Sequence, residues 1–216
     1  MDFLIGVLAL QGGVQEHLDM LARLDTQDRK SGGQGILTRR VRKSEDLAGL
    51  AALIIPGGES SAVSVLLGDG GLADALRSQI QAGLAVWGTC MGAILLSASI
   101  YVDTEAPAAT PRVFGLMDME MKRNAYGCQL DSFTSKISVL GLEGGSFPMV
   151  FIRAPRILSV GPSVEILAEV AGSPVACRQG RLLATTFHPE LSADLRFHEF
   201  FVNMARGLGL EATFAS

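Results

Sequence analysis

The 216-residue chain is poor in the residues that staple a protein or steer it toward a polyanion. It has only three cysteines, Cys90, Cys128 and Cys177, which cannot all pair and show no C-x-x-C spacing. That argues against a disulfide framework or a zinc knuckle, and makes a reducing, cytoplasmic setting the expectation. Lys and Arg number 18 against 22 Asp and Glu, for a formal net charge of −4. No basic block extends beyond Arg39–Lys43, so no nucleic-acid partner is expected. Long apolar runs are also missing. The stretch from Ala93 to Val102 is about half the ~20 residues that a membrane span needs. Phe3 follows the start with no basic leader before it, so no signal peptide is expected. Leu10-Gln11-Gly12-Gly13 lacks the G-x-G-x-x-G spacing, and no Walker lysine follows it. Nucleotide binding is therefore not expected.

What is present is a large apolar fraction, 48% against 19% charged. Such a composition suits a sheet covered on both faces, because doubly covered strands lose their polar alternation. Strand-like runs alternate with helical patterns through the first half, the signature of an α/β domain. Strands are predicted at Phe3–Leu10, Gly35–Val41, Ala52–Ile55 and Ala85–Gly88. Helices are predicted at Val14–Leu24 (Val14, Leu18 and Leu21 on its apolar face), after Ser44, at Gly71–Ala82 and at Met91–Ala98. From about Val113 to His188 short strands dominate, including Met149–Arg153, Val164–Val170, Val175–Arg178 and Leu182–Phe187. A last helix covers about Ala193–Leu208. Met117, Met119 and Met121 alternate as one strand face does. Ser31–Gly35 and Thr104–Arg112 read as inserted loops. With no internal repeat or linker, residues 1–216 read as one domain: an open, mostly parallel sheet with helices on both faces, in three layers.

Gly88-Thr89-Cys90-Met91-Gly92 lies between a predicted strand and a predicted helix, the G-x-nucleophile-x-G elbow with cysteine as nucleophile. Small neighbours let the sulfur project from the strand end. The helix that follows turns its positive end toward the sulfur, which favours a thiolate, and the N–H of Met91 is placed to hold an oxyanion. A buried core cysteine at a tight turn fits the pentapeptide equally well. His188-Pro189-Glu190 ends a strand-like run and supplies what a cysteine nucleophile requires, a base and a group to orient it. Residues two apart in an extended segment project to one side, so Glu190 can hold the His188 imidazole. The bland alternative is a strand-end histidine and a helix-capping glutamate. A metal held by Cys90, His188 and Glu190 would lack a fourth ligand, and no metal or cofactor is expected. Pro56-Gly57-Gly58-Glu59-Ser60-Ser61 follows a buried strand, where paired glycines let backbone N–H groups approach a developing charge. It also reads as a turn with a serine helix cap. His17 and His198 read as surface or partly buried helix residues, and Cys128 and Cys177 as packing cysteines.

These motifs resemble the class I glutamine amidotransferases. Within them, Val7-Leu8-Ala9-Leu10-Gln11-Gly12, Pro56-Gly57-Gly58-Glu59-Ser60, Gly88-Thr89-Cys90, Arg123-Asn124, Gln129, Asp131-Ser132-Phe133, Phe151-Ile152-Arg153-Ala154-Pro155 and Phe187-His188-Pro189-Glu190-Leu191 are similar, in order, to the glutaminase subunits of pyridoxal 5′-phosphate synthase. The Arg-Asn and Ile-Arg-Ala-Pro segments discriminate, since other glutaminases need only the triad and the oxyanion loop. The resemblance implies hydrolysis of L-glutamine by a Cys90–His188–Glu190 triad, with ammonia passed to a synthase subunit. It further implies substrate contacts from Gly58, Glu59, Ser60, Arg123, Ile152 and Arg153, with Gly58 beside the oxyanion. It also implies a glutaminase that is weak until its partner docks. A glutaminase serving another acceptor, and a non-catalytic regulatory subunit of the same fold, are the competing readings. The chain departs from the family at Cys128, where arginine is frequent, at Ser61, where threonine is common, and at Lys43, where proline is frequent.

Overall fold

The computed structural model describes residues 2–58, 71–101, 113–123 and 132–208. Its main sheet begins with β1 (Phe3–Leu8), β2 (Ile36–Val41), β3 (Ala52–Ile55) and β4 (Ala85–Thr89), and is completed late in the chain by β10 (Glu165–Val170), β11 (Ser173–Gln179) and β12 (Leu182–Thr185). The spatial order is β10-β11-β12-β4-β3-β1-β2. The run from β12 to β2 is parallel, and β11 and β10 add an antiparallel flank.

Side-chain alternation on these strands feeds two separate cores. Ile54, Trp87 and Leu183 face the layer containing α1 (Val14–Lys30) and α4 (Arg196–Arg206). Leu53, Ile55, Val86 and Ala184 face α2 (Leu72–Gln81) and α3 (Met91–Leu96). The central strands β3 and β4 are thus closed to water on both faces, as their lack of polar alternation implied, while the edge strand β2 stays partly exposed. A small sheet of β5 (Ser97–Tyr101), β6 (Met117–Lys122) and β9 (Arg156–Val160) packs beside the α3 layer, where Met117, Met119 and Met121 are buried as their alternation predicts. The hairpin of β7 (Ser132–Ile137) and β8 (Phe147–Ile152) joins the opposite layer through Phe147 and Phe151.

Several boundaries differ from the sequence expectation, three of them with a clear physical cause. α1 continues to Lys30, although its apolar pattern stops at Leu24, because polar pairs carry the last turns: the Arg29 Nε donates to Asp25 at 2.8 Å. The expected Ser31–Gly35 loop follows directly, between Lys30 and Ile36, with Gly32 and Gly35 at positive φ. The helix after Cys90 stops at Leu96. There the Ser97 hydroxyl donates to the Ile94 carbonyl, and the chain enters β5. β1 ends at Leu8, freeing Gln11–Gly13 to form a loop. Thr104–Arg112 lies outside the described residues.

Register decides where the reactive groups meet. Ile55 pairs with Gly88, and Thr185 with Thr89, so β3, β4 and β12 end side by side. The segments that follow them, Pro56–Gly58, Cys90 and His188, emerge together at the carboxyl edge of the sheet, where open α/β folds place their sites.

Candidate active site

Cys90 occupies the single residue between β4 and α3, with φ 49° and ψ −104°. A side-chain-bearing residue rarely adopts positive φ, and the neighbours hold it there. A Cβ on Gly88 would lie 2.4 Å from the Gly92 carbonyl, and one on Gly92 would lie 2.0 Å from that of Ile55. Both flanking positions therefore require glycine, which is the physical content of the G-x-C-x-G pattern. The Cys90 N–H donates to the Thr185 carbonyl at 2.7 Å, locking the elbow to β12. Met91 opens α3, so its N–H has no partner within the helix.

His188 follows β12, and its N–H donates to the Val150 carbonyl at 2.8 Å. Pro189–Leu191 forms a 3₁₀ turn rather than the expected extended run, and the turn still folds Glu190 back beneath the ring. The His188 Nδ1 lies 2.8 Å from Oε1 of Glu190, whose side chain is only 1% exposed. Burial works against charge on His188. The hydrogen bonds with Cys90 and Glu190, and their charges, outweigh it and raise the imidazole to about 10. Gly57 permits this approach, because a Cβ there would stand 2.5 Å from Cε1 of His188 and 3.2 Å from the Cβ of Cys90.

The Gly57 N–H donates to the Thr89 hydroxyl at 3.1 Å. Its carbonyl oxygen lies 1.5 Å from where a Gly12 Cβ would stand, so the β1–α1 loop must carry glycine to meet it. With no cis peptide among the described residues, the Gly58 N–H points away from that contact. These segments surround an open cleft of about 660 Å³. Gly58, Cys90, Met91, Arg123, Ile152, Arg153, His188 and Glu190 all line it. Glu59 and Ser60 lie outside the described residues. Arg153 also has positive φ, 43°, a second strained residue at the same mouth. Glu16 lines the cleft without having been singled out, while Gln11 and Leu191 had been noted only as parts of the family motifs, with no role given. No group of three or more metal-ligating side chains occurs among the described residues. Cys177 is fully buried, and burial followed by the nearby Glu169 pushes its thiol up to about 12, which suits a packing role.

The expectation for His17 and His198 is corrected. Both are fully buried and packed edge-on against Trp87, on the far side of Glu190 from the His188 ring. The buried stripe of α1 runs through Val14, His17, Leu21 and Leu24, so position 17 is on the core side although its residue is polar.

The sequence pattern of the SNO glutamine amidotransferase family matches residues 7–206. A curated protein of Dehalococcoides mccartyi, pyridoxal 5′-phosphate synthase subunit PdxT, is 47% identical over 203 residues, covering 94% of this chain and 97% of its own. The PdxT of Ruminiclostridium cellulolyticum is 42% identical over 200 residues, 93% and 98% of the two chains. A solved glutamine amidotransferase crystal structure superposes with a TM-score of 0.80 at 43% identity, covering 94% of this chain and 98% of that one.

Proposed function

We propose, for a chain that belongs to the SNO glutamine amidotransferase family, that it is the glutaminase subunit of a pyridoxal 5′-phosphate synthase. It hydrolyses L-glutamine to L-glutamate and ammonia, and hands the ammonia to a synthase subunit. Residues 1–216 act as one glutaminase domain. No helix among the described residues is long and apolar enough to cross a membrane, and the setting we assign is cytoplasmic.

The observation that carries the residue roles is the 2.8 Å contact from His188 to Glu190, beside a cysteine held at a glycine-flanked elbow. Cys90 gives its thiol proton to His188 and then attacks the side-chain amide carbon of glutamine. The tetrahedral oxyanion is held by the N–H groups of Met91 and Gly58. His188 then protonates the leaving nitrogen, ammonia departs, and a γ-glutamyl thioester remains on Cys90. Water attacks that thioester with His188 as base, and glutamate leaves. Glu190 keeps the ring oriented and stabilises its charged form throughout. Arg123 and Arg153 read the substrate carboxylate, Glu59 its ammonium, and Ser60 and Ile152 complete the pocket. Docking of the synthase completes the oxyanion loop, so the free subunit is a weak glutaminase.

The test feeds the assembled glutaminase and synthase subunits with either glutamine or ammonia, and measures pyridoxal phosphate. Cys90→Ala should abolish the glutamine-fed product and leave the ammonia-fed product intact. Glutamine-fed synthesis that survives Cys90→Ala would overturn the reading.

A further inference from the structure

Behind the triad stands a second, fully buried row of polar groups that the reaction as written leaves idle. His17 projects from the core-facing stripe of α1, and its Nδ1 lies 2.9 Å from Nε2 of His198 on α4. On its other side, the His17 Nε2 lies 3.4 Å from the Thr89 hydroxyl and 3.4 Å from Oε2 of Glu190. Thr89 is the residue whose hydroxyl receives the Gly57 N–H. His17 therefore touches both the orienting carboxylate and the side chain that tethers the oxyanion loop.

The direction of the protons along this row follows from its two ends. Burial, then the proximity of His198 and His188, hold His17 well below the usual histidine range. Burial, then Arg23, hold His198 at about 3. Each ring is neutral and carries one N–H. The His198 Nδ1 has no hydrogen-bond partner among the described residues. A buried N–H left without an acceptor is much rarer than a bare lone pair, so the His198 proton belongs on Nε2. It is donated to Nδ1 of His17, which places the His17 proton on Nε2. The reverse order would strand an N–H on His198 and set the His17 lone pair against a carboxylate oxygen. The better-aligned contact of that Nε2 proton is with Thr89. Among the described residues the nearly buried Oε2 of Glu190 has no aligned hydrogen bond of its own, and the His17 N–H is the donor beside it. Gly13 clears the space, since a Cβ there would stand 2.9 Å from Oε1 of Glu190.

We infer that His17, oriented by His198, is a positioning residue of this glutaminase: its Nε2–H is bonded to Thr89, which tethers the Gly57 loop, and at 3.4 Å its positive end steadies the Glu190 carboxylate against His188. The inference rests on the triad reading above. The charged or titratable groups that bear on the site are Cys90 and Glu190 at His188, Glu16, Arg123 and Arg153 around the cleft, and His198 with Arg23 behind His17.

Three variants test it in the assembled pair with the synthase subunit, by glutamate release across pH. His17→Leu keeps an apolar filling but removes both nitrogens. It should lower kcat by roughly threefold to tenfold, the size of one lost hydrogen bond between neutral groups, and leave KM within about twofold. The alkaline limb, set by His188, should move to lower pH as Glu190 loses its hold. His17→Gln restores an N–H donor and should recover most of kcat and the position of the limb. His198→Phe keeps the aromatic packing and should move the limb in the same direction as His17→Leu; it decides the matter if His17→Leu does not fold. Wild-type kcat and limb in His17→Leu or His198→Phe would overturn the inference, as would a loss in thermal stability with kcat per folded molecule unchanged. Cys90→Ala, run alongside, separates the two readings. If it stays active the triad assignment has failed; if it is inactive while His17→Leu behaves as wild type, only the positioning role has failed.

Discussion

At the scale of single residues, charge at His188 is set by what its two ring nitrogens meet. Burial alone would neutralise the ring, but Cys90 beside it and the nearly buried Glu190 at its Nδ1 outweigh that burial. The sign of the pH effect follows. A histidine whose folded pKa is raised above its unfolded value, near 6.5, contributes stability that is complete below that value. That contribution is lost as pH rises through about 10. Catalysis should follow the same group, because the protonated ring must deliver a proton to the leaving nitrogen. Glu190→Gln keeps the shape but removes the charge, so the alkaline limb of glutamate release should fall below the wild-type position and kcat should drop on the order of a hundredfold or more. A limb that stays in place would detach Glu190 from His188. The contact between this pair was legible in the chain, as a histidine and a carboxylate two apart at a strand end, although a strand end followed by a helix cap fitted the same letters. His17 was not. A polar residue within an apolar stripe breaks the pattern by which burial is read, and only the packing of α4 and Trp87 around it shows why it is buried.

At the scale of elements, the site depends on how closely β3, β4 and α3 can approach. Gly92 packs its Cα against the Ile55 carbonyl, and Gly88 against the Gly92 carbonyl, so the turn between strand and helix has no room for a methyl group. Gly92→Ala should therefore cost about 1–3 kcal/mol of stability, toward the upper end because the obstacle is backbone. Urea denaturation reads this as a lower midpoint at unchanged slope, and an unchanged midpoint would mean that the elbow is slacker than its geometry indicates. The alternation of strands and helices in the first half was readable because buried strands such as Ala52–Ile55 are short, apolar and closed by glycine or proline. Element ends were less so. α1 gains its last turns from Asp25 and Arg29, and α3 loses its last turn at Ser97, both through side-chain hydrogen bonds that hydrophobic periodicity does not record. The 3₁₀ turn at Pro189–Leu191 belongs to the same class, a local geometry that delivers Glu190 to the place an extended segment was expected to reach.

At the scale of the whole molecule, Cys90 and the His188–Glu190 pair lie about a hundred positions apart, and parallel pairing of β4 with both β3 and β12 brings them to one edge. The α/β class and the residue types of the site could be read from the chain, while the strand order that joins them is a property of long-range pairing. Around the cleft, Ile152 and Leu191 remain exposed, at 37% and 45%, on the rim of the same opening that Arg123 and Arg153 line. The central claim is that Cys90 performs the chemistry that links glutamine to the synthase. The most direct measurement is the rate of glutamate release from glutamine by the assembled pair, with wild-type Cys90 and with Cys90→Ala at equal folded concentration. A loss of at least about a thousandfold is the predicted result, since removing a nucleophile leaves only binding and oxyanion stabilisation. Glutamate release by Cys90→Ala within about tenfold of wild type would contradict the account.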